Sequence, residues 1–460
     1  MDHNLKTDVT EIQNEFLKPI GKYTPLTRLW IGFLLIVALW GVFAYIRQLI
    51  FGLEATAMRN FVIWGLYIST FVFFIGISHS GTLVSAILRI TNKEWRRPIT
   101  RSAELLTFVS LLFGGIMPII DMGRPDRIHH MLLFGRLQSP LMWDILCIGT
   151  YFFGSTLFLY LPMIPDIALC RDRLSGQASK FRMWIYKTLS LGWQDTAKNW
   201  ERLELCMKIM TIIIIPIAVS VHTVVGYIFA MTLRPGWNST IFGPYFVAGA
   251  LYSGSAAVIL TMAAFRKINH LENYITHKHF NYMGQIVLAL TLIYMYFNIN
   301  EYAVPAYKME SAEGFLLHDL FGGGYSTIFW TLQFGTVLLP AVILCFPKGR
   351  TPTMAVIACL IIVIGAWVKR YIIVVPTLLH PIIPIQGVPF DWSHYFPNWV
   401  EWSVTFGALA GIFLVITLFS KIFPIVSIWE VVEGREFEEK ERLINELKGN
   451  QAAKTEITKT

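Results

Sequence analysis

At 460 residues, with 55% hydrophobic and 15% charged side chains and a mean hydropathy of +0.54, the chain is too apolar for a soluble protein of its length. Its formal charge of +8 gives no ground for a nucleic-acid partner, because the basic residues sit in short segments between apolar runs rather than in one patch.

The first 25 residues are polar (Lys6, Glu11, Glu15, Lys18, Lys22) and lack the basic, apolar and cleavage regions of a signal peptide. Ten apolar runs follow, at 26–46, 61–88, 104–120, 141–161, 207–232, 245–265, 283–300, 325–346, 353–378 and 401–423. Most reach the ~20 residues that a helix needs to cross ~30 Å of hydrocarbon. The run 104–120 is short and depends on tilt or on its polar flanks. The pattern predicts an all-α polytopic membrane protein of about ten transmembrane helices.

With the N-terminus placed in the cytoplasm, 29 of the 38 Lys and Arg residues fall on that side and seven on the other, with Lys369 and Arg370 inside a run. This asymmetry predicts that both termini are cytoplasmic. The long 162–206 segment, with Trp184, Trp193 and Trp200, reads as interfacial helices with aromatic anchors. Beyond 429 the chain is charged (Glu433, Arg435, Glu436, Glu438, Glu439, Lys440, Arg442) and reads as an exposed helix ending in a frayed tail.

A weak internal repeat divides the runs. The second contains Ser78-His79-Ser80-Gly81 and ends in Arg89; the sixth contains Leu251-Tyr252-Ser253-Gly254 and ends in Arg266. Runs two to five and six to nine then form two four-helix bundles in parallel copy. The expected organisation is a cytoplasmic segment and first helix (1–60), a first bundle (61–232), a second bundle (245–378), a tenth helix (401–428) and a cytoplasmic tail (429–460).

Only two of eleven histidines, His79 and His222, lie well inside apolar runs. On the fifth run Ala218, His222, Gly226 and Ala230 recur every four residues, so the imidazole stands on a face of small side chains. An ionisable group within the membrane marks a functional site by default, and imidazole exchanges protons near neutral pH. Interhelical hydrogen bonding alone is the structural alternative. Paired haem ligation usually takes two histidines per helix, and each of these helices offers one. The five cysteines are scattered without a C-x-x-C or a haem-attachment motif, so no haem, iron–sulfur or metal ligand set is expected in this chain.

The segment Asp121-Met122-Gly123-Arg124-Pro125-Asp126-Arg127-Ile128-His129-His130 is the densest polar cluster outside the cytoplasmic loops. Asp144 begins the fourth run on the same side, and His222 lies in the outer half of the fifth. A carboxylate and an imidazole converging beside an apolar cavity suit a quinol, whose hydroxyls donate to each while each accepts a proton. His222, Asp144 and Asp121 are the candidates for that chemistry, with Arg124, Arg127, His129 and His130 as quinol contacts. His79 and Asp166 are candidates for a proton path, together with Glu301 and Arg370 in the second bundle. Lys369 and Arg370 can instead snorkel outward as anchors.

The Gly-x-Ser-His-Ser-Gly stretch 76–81, the Asp-Met-Gly-Arg-Pro turn 121–125 and the Leu-Pro-Met-Ile-Pro-Asp segment 161–166 resemble the NrfD/polysulfide-reductase family of membrane subunits. The resemblance covers roughly 25–425. Length, ten runs and the long loop are most similar to the larger members in alternative complex III, a bacterial quinol:electron-acceptor oxidoreductase. It implies a menaquinol site near the periplasmic face in the first bundle of a bacterial inner-membrane protein. It further implies electron transfer to a periplasmic iron–sulfur subunit and multihaem cytochrome c subunits, a paralogous ten-helix subunit, a terminal cytochrome oxidase as a further partner, and coupling to proton translocation. A secondary transporter or ion pathway, and a non-catalytic paralogous anchor, are the alternatives. Transporters favour helices broken at corresponding places in both halves, and Pro216, the clearest mid-run proline, has no matching break expected in runs six to nine.

Overall fold

The computed structural model describes residues 3–176, 178–383 and 385–437. All regular structure among them is helical. Ten helices are long and apolar enough to cross a membrane: α1 (Pro25–Ala55), α2 (Leu66–Ile90), α3 (Thr100–Asp121), α4 (Pro140–Arg173), α5 (Ala197–Ala230), α6 (Phe242–Ile268), α7 (His277–Lys308), α8 (Ser326–Cys345), α9 (Pro352–Leu379) and α10 (Trp399–Ile422). The short third run gains its length from its polar flank, Thr100–Glu104, whose side chains are buried.

Helix α2 is the hub. It packs on α3, α5, α6 and α9, and nearly every residue of its apolar segment is buried. This explains its composition: a helix facing neighbours all round need not be amphipathic, and it uses Ser, Thr and Gly to let backbones approach. Helices α3 with α4, and α4 with α5, complete one set of contacts; α6 with α7, α7 with α8, α8 with α9, and α6 with α9 complete another. The two motifs of the weak repeat meet where α2 crosses α6. The Ser80 hydroxyl donates to the carbonyls of Ala250 (3.1 Å) and Leu251 (2.9 Å). Helix α1 lies at the edge against α10, with most of its apolar surface free for lipid. There Gly41 and Gly407 meet so closely that a Cβ on Gly41 would lie 2.8 Å from the Gly407 Cα.

Two departures from a plain helical ladder bear on function. Pro216 sits inside α5 and removes a backbone donor from its ladder. Helix α8 contains a π-helical stretch, Thr331–Leu338, which the sequence did not announce. Gly335 lies inside it and Pro340 just beyond, where the missing N–H frees the Thr336 carbonyl; that carbonyl accepts from Tyr252, and Asn298 bonds the Gln333 side chain.

At the face where the described chain begins and ends, the segment after α10 folds back as a helix beginning at Ile428. Only its first part, including Glu433, Arg435 and Glu436, lies within the described residues; Glu438, Glu439, Lys440 and Arg442 fall outside them. Of the 162–206 segment, 164–173 continues α4 and Lys180–Leu189 forms a separate helix. Trp184 is exposed, whereas Trp193 and Trp200 pack on one another.

Candidate functional site

His79 and His222 are both fully buried, and their rings lie 4.1 Å apart, centre to centre, where α2 meets α5. The two nitrogens of His79 face two backbone carbonyls, Ile75 on its own helix (3.1 Å) and Ala218 on α5. A neutral imidazole has one N–H and can serve one of them; only the protonated ring serves both. Tyr151 of α4 packs at 5.0 Å on the other side, its hydroxyl donating to the Ser78 carbonyl. His222 is the anomaly, because neither of its ring nitrogens has a hydrogen-bond partner. An unmade buried hydrogen bond costs about 1–3 kcal/mol.

A second buried polar cluster joins α6, α7 and α9. The Lys369 ammonium donates to Glu301 (2.8 Å) and to the Tyr302 hydroxyl. The Tyr245 hydroxyl donates to the same Glu301 oxygen at 2.7 Å, and Asn298 bonds Gln333. Lys369 and Arg370 are about 5% exposed, so neither snorkels; burial beside Glu301 prevails over anchoring. Arg370 has no ion pair among the described residues. Its guanidinium donates to the Ala366 carbonyl and occupies a notch between Gly76 of α2 and Gly249 of α6. A Cβ on Gly249 would lie 3.2 Å from its Nη2. The notch places this cation one helical turn from His79, between the two polar clusters.

Toward the face opposite the termini, Asp121 and Asp144 are largely buried, and each keeps one carboxylate oxygen without a partner. Asp121 ends α3 close to Gln48, which donates to the Ile120 carbonyl and accepts from Tyr67. No hydrogen bond or ring contact joins Asp121, Asp144 and His222 among the described residues. The expected direct convergence is therefore not seen: His222 turns to His79 and Phe246 instead. The turn that follows Asp121 is exposed. Arg124 pairs with Asp126 at 3.1 Å, holding that carboxyl below its ordinary range. Arg127 lies beside them, and His129 and His130 stack edge to face near the surface.

Asp166 stands at the opposite end. It takes a 2.6 Å bond from Arg101 and accepts the backbone N–H groups of Ile428 and Trp429. It caps the returning C-terminal helix, and Arg101 also holds the Pro162 carbonyl and Ser427. Nearby, burial alone would push the Glu430 carboxyl up, but Arg89 and Arg96 pull it down to about 2.

Sequence reasoning did not single out Arg101, Glu104, Glu401 or Glu430, all buried. Each lies at the edge of an apolar run or beyond its last residue, where a charge looks like a solvated flank. Tyr245, Tyr302 and Asn298 carried a weak signal, being polar groups in or beside the sixth and seventh runs.

This architecture defines a helical membrane protein with polar groups enclosed at midspan. The sequence model for polysulphide reductase, NrfD, matches residues 54–381, and the chain belongs to that family. It is 26% identical to a selenate reductase subunit of Mesobacillus selenatarsenatis, over 87% of this chain and 95% of that protein. It is 24% identical to the menaquinone reductase integral membrane subunit of Nitratidesulfovibrio vulgaris, over 86% and 91%. A Hdr-like menaquinol oxidoreductase integral membrane subunit of Archaeoglobus fulgidus is 20% identical over 85% and 93%. The family is thus one of membrane subunits of quinone and menaquinol oxidoreductase complexes.

Proposed function

We propose that this chain is the quinol-binding membrane subunit of a respiratory complex of the alternative complex III type, oxidising menaquinol near the periplasmic face. The partners in this reading are an iron–sulfur subunit, multihaem cytochromes c and a paralogous membrane subunit. The terminal oxidase lies further along the same electron-transfer route. The observation that carries it is the set of buried, unpartnered polar atoms in the α2–α5 region: both His222 nitrogens and one oxygen each of Asp144 and Asp121. Such atoms fit a ligand whose hydroxyls donate to carboxylate and imidazole. Bound menaquinol supplies two electrons and two protons.

The chain's own residues receive, orient and move the protons. Asp144 and Asp121 offer free carboxylate oxygens as acceptors near the surface. Arg124, Arg127, His129 and His130 line the adjacent face, where a docked redox partner would cover them. His222 stands deeper, its ring against that of His79, whose nitrogens face the carbonyls of Ile75 and Ala218. Arg370, in its notch between Gly76 and Gly249, and Glu301, paired with Lys369, complete the proton path of this reading. Asp166 serves instead as an anchor, because both its oxygens are engaged by Arg101 and two backbone amides.

The test is His222→Leu in the assembled complex. Quinol-dependent reduction of the attached cytochromes is expected to fall at least tenfold; an undiminished rate would overturn the assignment. Asp144→Asn separates the roles, since it is expected to weaken quinol use while leaving the midspan pair intact. The π-helical break in α8 favours the second reading, an ion or solute pathway. Substrate flux through the purified chain, without redox partners, would decide for it.

A further inference from the structure

The Lys369–Glu301 pair is buried, yet a small cavity of about 20 Å³ touches it from the side opposite the termini. Glu301 and Tyr302 of α7 form its inner wall. Its outer wall includes Glu313 and Leu316, from the surface helix Ser311–Phe321. Helix α9 contributes Ile372, Ile373 and Thr377, and the α5–α6 loop contributes Gly236 and Trp237. The volume suffices for one water molecule, and polar partners are at hand.

Glu313 is the informative residue. It is 4% exposed, although its helix rides on the surface, and its Oε2 has no hydrogen-bond partner. No cation pairs with it among the described residues, unlike Glu301. Burial and the neighbouring Glu310 raise its carboxyl above the ordinary range, against the pull of Lys308. Its place in the first turn of its helix suits a carboxylate, but does not account for a free oxygen turned inward without a donor.

We propose that Glu313 is the port through which the Lys369–Glu301 pair exchanges protons with the solution on the face opposite the termini. Glu313 takes a proton from solution and releases it to the water in the cavity. That water passes a proton to the Glu301 carboxylate, which becomes neutral. Lys369 stays an ammonium ion and keeps its bond to Tyr302. The reverse sequence releases the proton, so charge and atoms balance at each step. The inference rests on Glu301 being a proton carrier, as the proposed function has it, but not on the identity or position of the quinol.

Infrared spectroscopy of the whole complex, stepped between two pH values, tests both parts separately. The wild-type complex is expected to show a carboxyl band that responds to pH and is lost in Glu301→Gln. In Glu313→Gln the same band is expected to appear at least tenfold more slowly after the step, and Glu313→Asp to recover part of the rate. Leu316→Phe, which fills the cavity and leaves both carboxylates in place, is expected to slow it as well. A missing Glu301 band would overturn the carrier. A Glu301 band that responds at the wild-type rate in Glu313→Gln would overturn the port alone.

Discussion

Two sets of buried polar groups around α2 are treated in opposite ways. Near the termini, Asp166 and Glu430 each meet guanidinium groups at 2.6–2.9 Å, and Asp166 also gathers the amides of the returning helix. At midspan His222 has no partner at all, and nearer the far face Asp121 and Asp144 each leave an oxygen free. A buried charge that is fully paired holds the fold in one arrangement, and removing one partner strands the other. A buried polar group left unpaired is a standing cost that stability alone does not explain. The contrast teaches where to look for chemistry: at the groups the fold leaves unanswered.

The largest effect should come from Arg101→Met, which strands Asp166 in the interior. Stability is expected to fall by about 3–5 kcal/mol, read as a lower melting temperature or as failure of the complex to accumulate. A loss below about 1 kcal/mol would break the comparison, because a paired network must suffer when one partner goes. Acid should expose the same network. The Glu430 carboxyl is lowered from 4.5 to about 2, so its stabilisation is complete above pH 4.5 and is lost as pH falls toward 2. The size is on the order of 3 kcal/mol, and Glu430→Gln should flatten that part of the stability–pH curve.

At midspan the expectation reverses. His222→Leu should leave stability unchanged or raise it by up to about 3 kcal/mol, since it replaces an unsatisfied group by an apolar one of similar volume. A large fall in melting temperature would place His222 with the structural residues and blunt the contrast. The smallest effect is expected at the exposed Arg124–Asp126 pair. Arg124→Ala should leave the melting temperature unchanged within error, so that any effect on quinol-dependent turnover would report contact with substrate or partner.

Much of the architecture was legible in the letters, because hydrocarbon imposes a length and an all-helical solution on any segment that crosses it. The ten runs match the ten helices to within about five residues, apart from the extensions at α1, α4, α5 and α7. His79 and His222 were legible for the same reason: an imidazole in an apolar run is conspicuous. Asp166 was legible as a candidate for a proton path, but its partner was not, because Arg101 lies 65 residues earlier in what looks like a basic loop. Lys369 was ambiguous, since a long side chain near a helix end can reach either water or a carboxylate.

Sequence alone determined the class of solvent, the number of crossings and the two histidines that have no reason to sit in lipid, because each follows from local composition. Tertiary structure decided which polar groups find partners: Arg101 with Asp166, Lys369 with Glu301, and His222 with none. That outcome depends on how helices far apart in the chain approach and rotate against one another. Hydrogen bonds reach only about 3 Å, so no periodicity along a single helix can fix them.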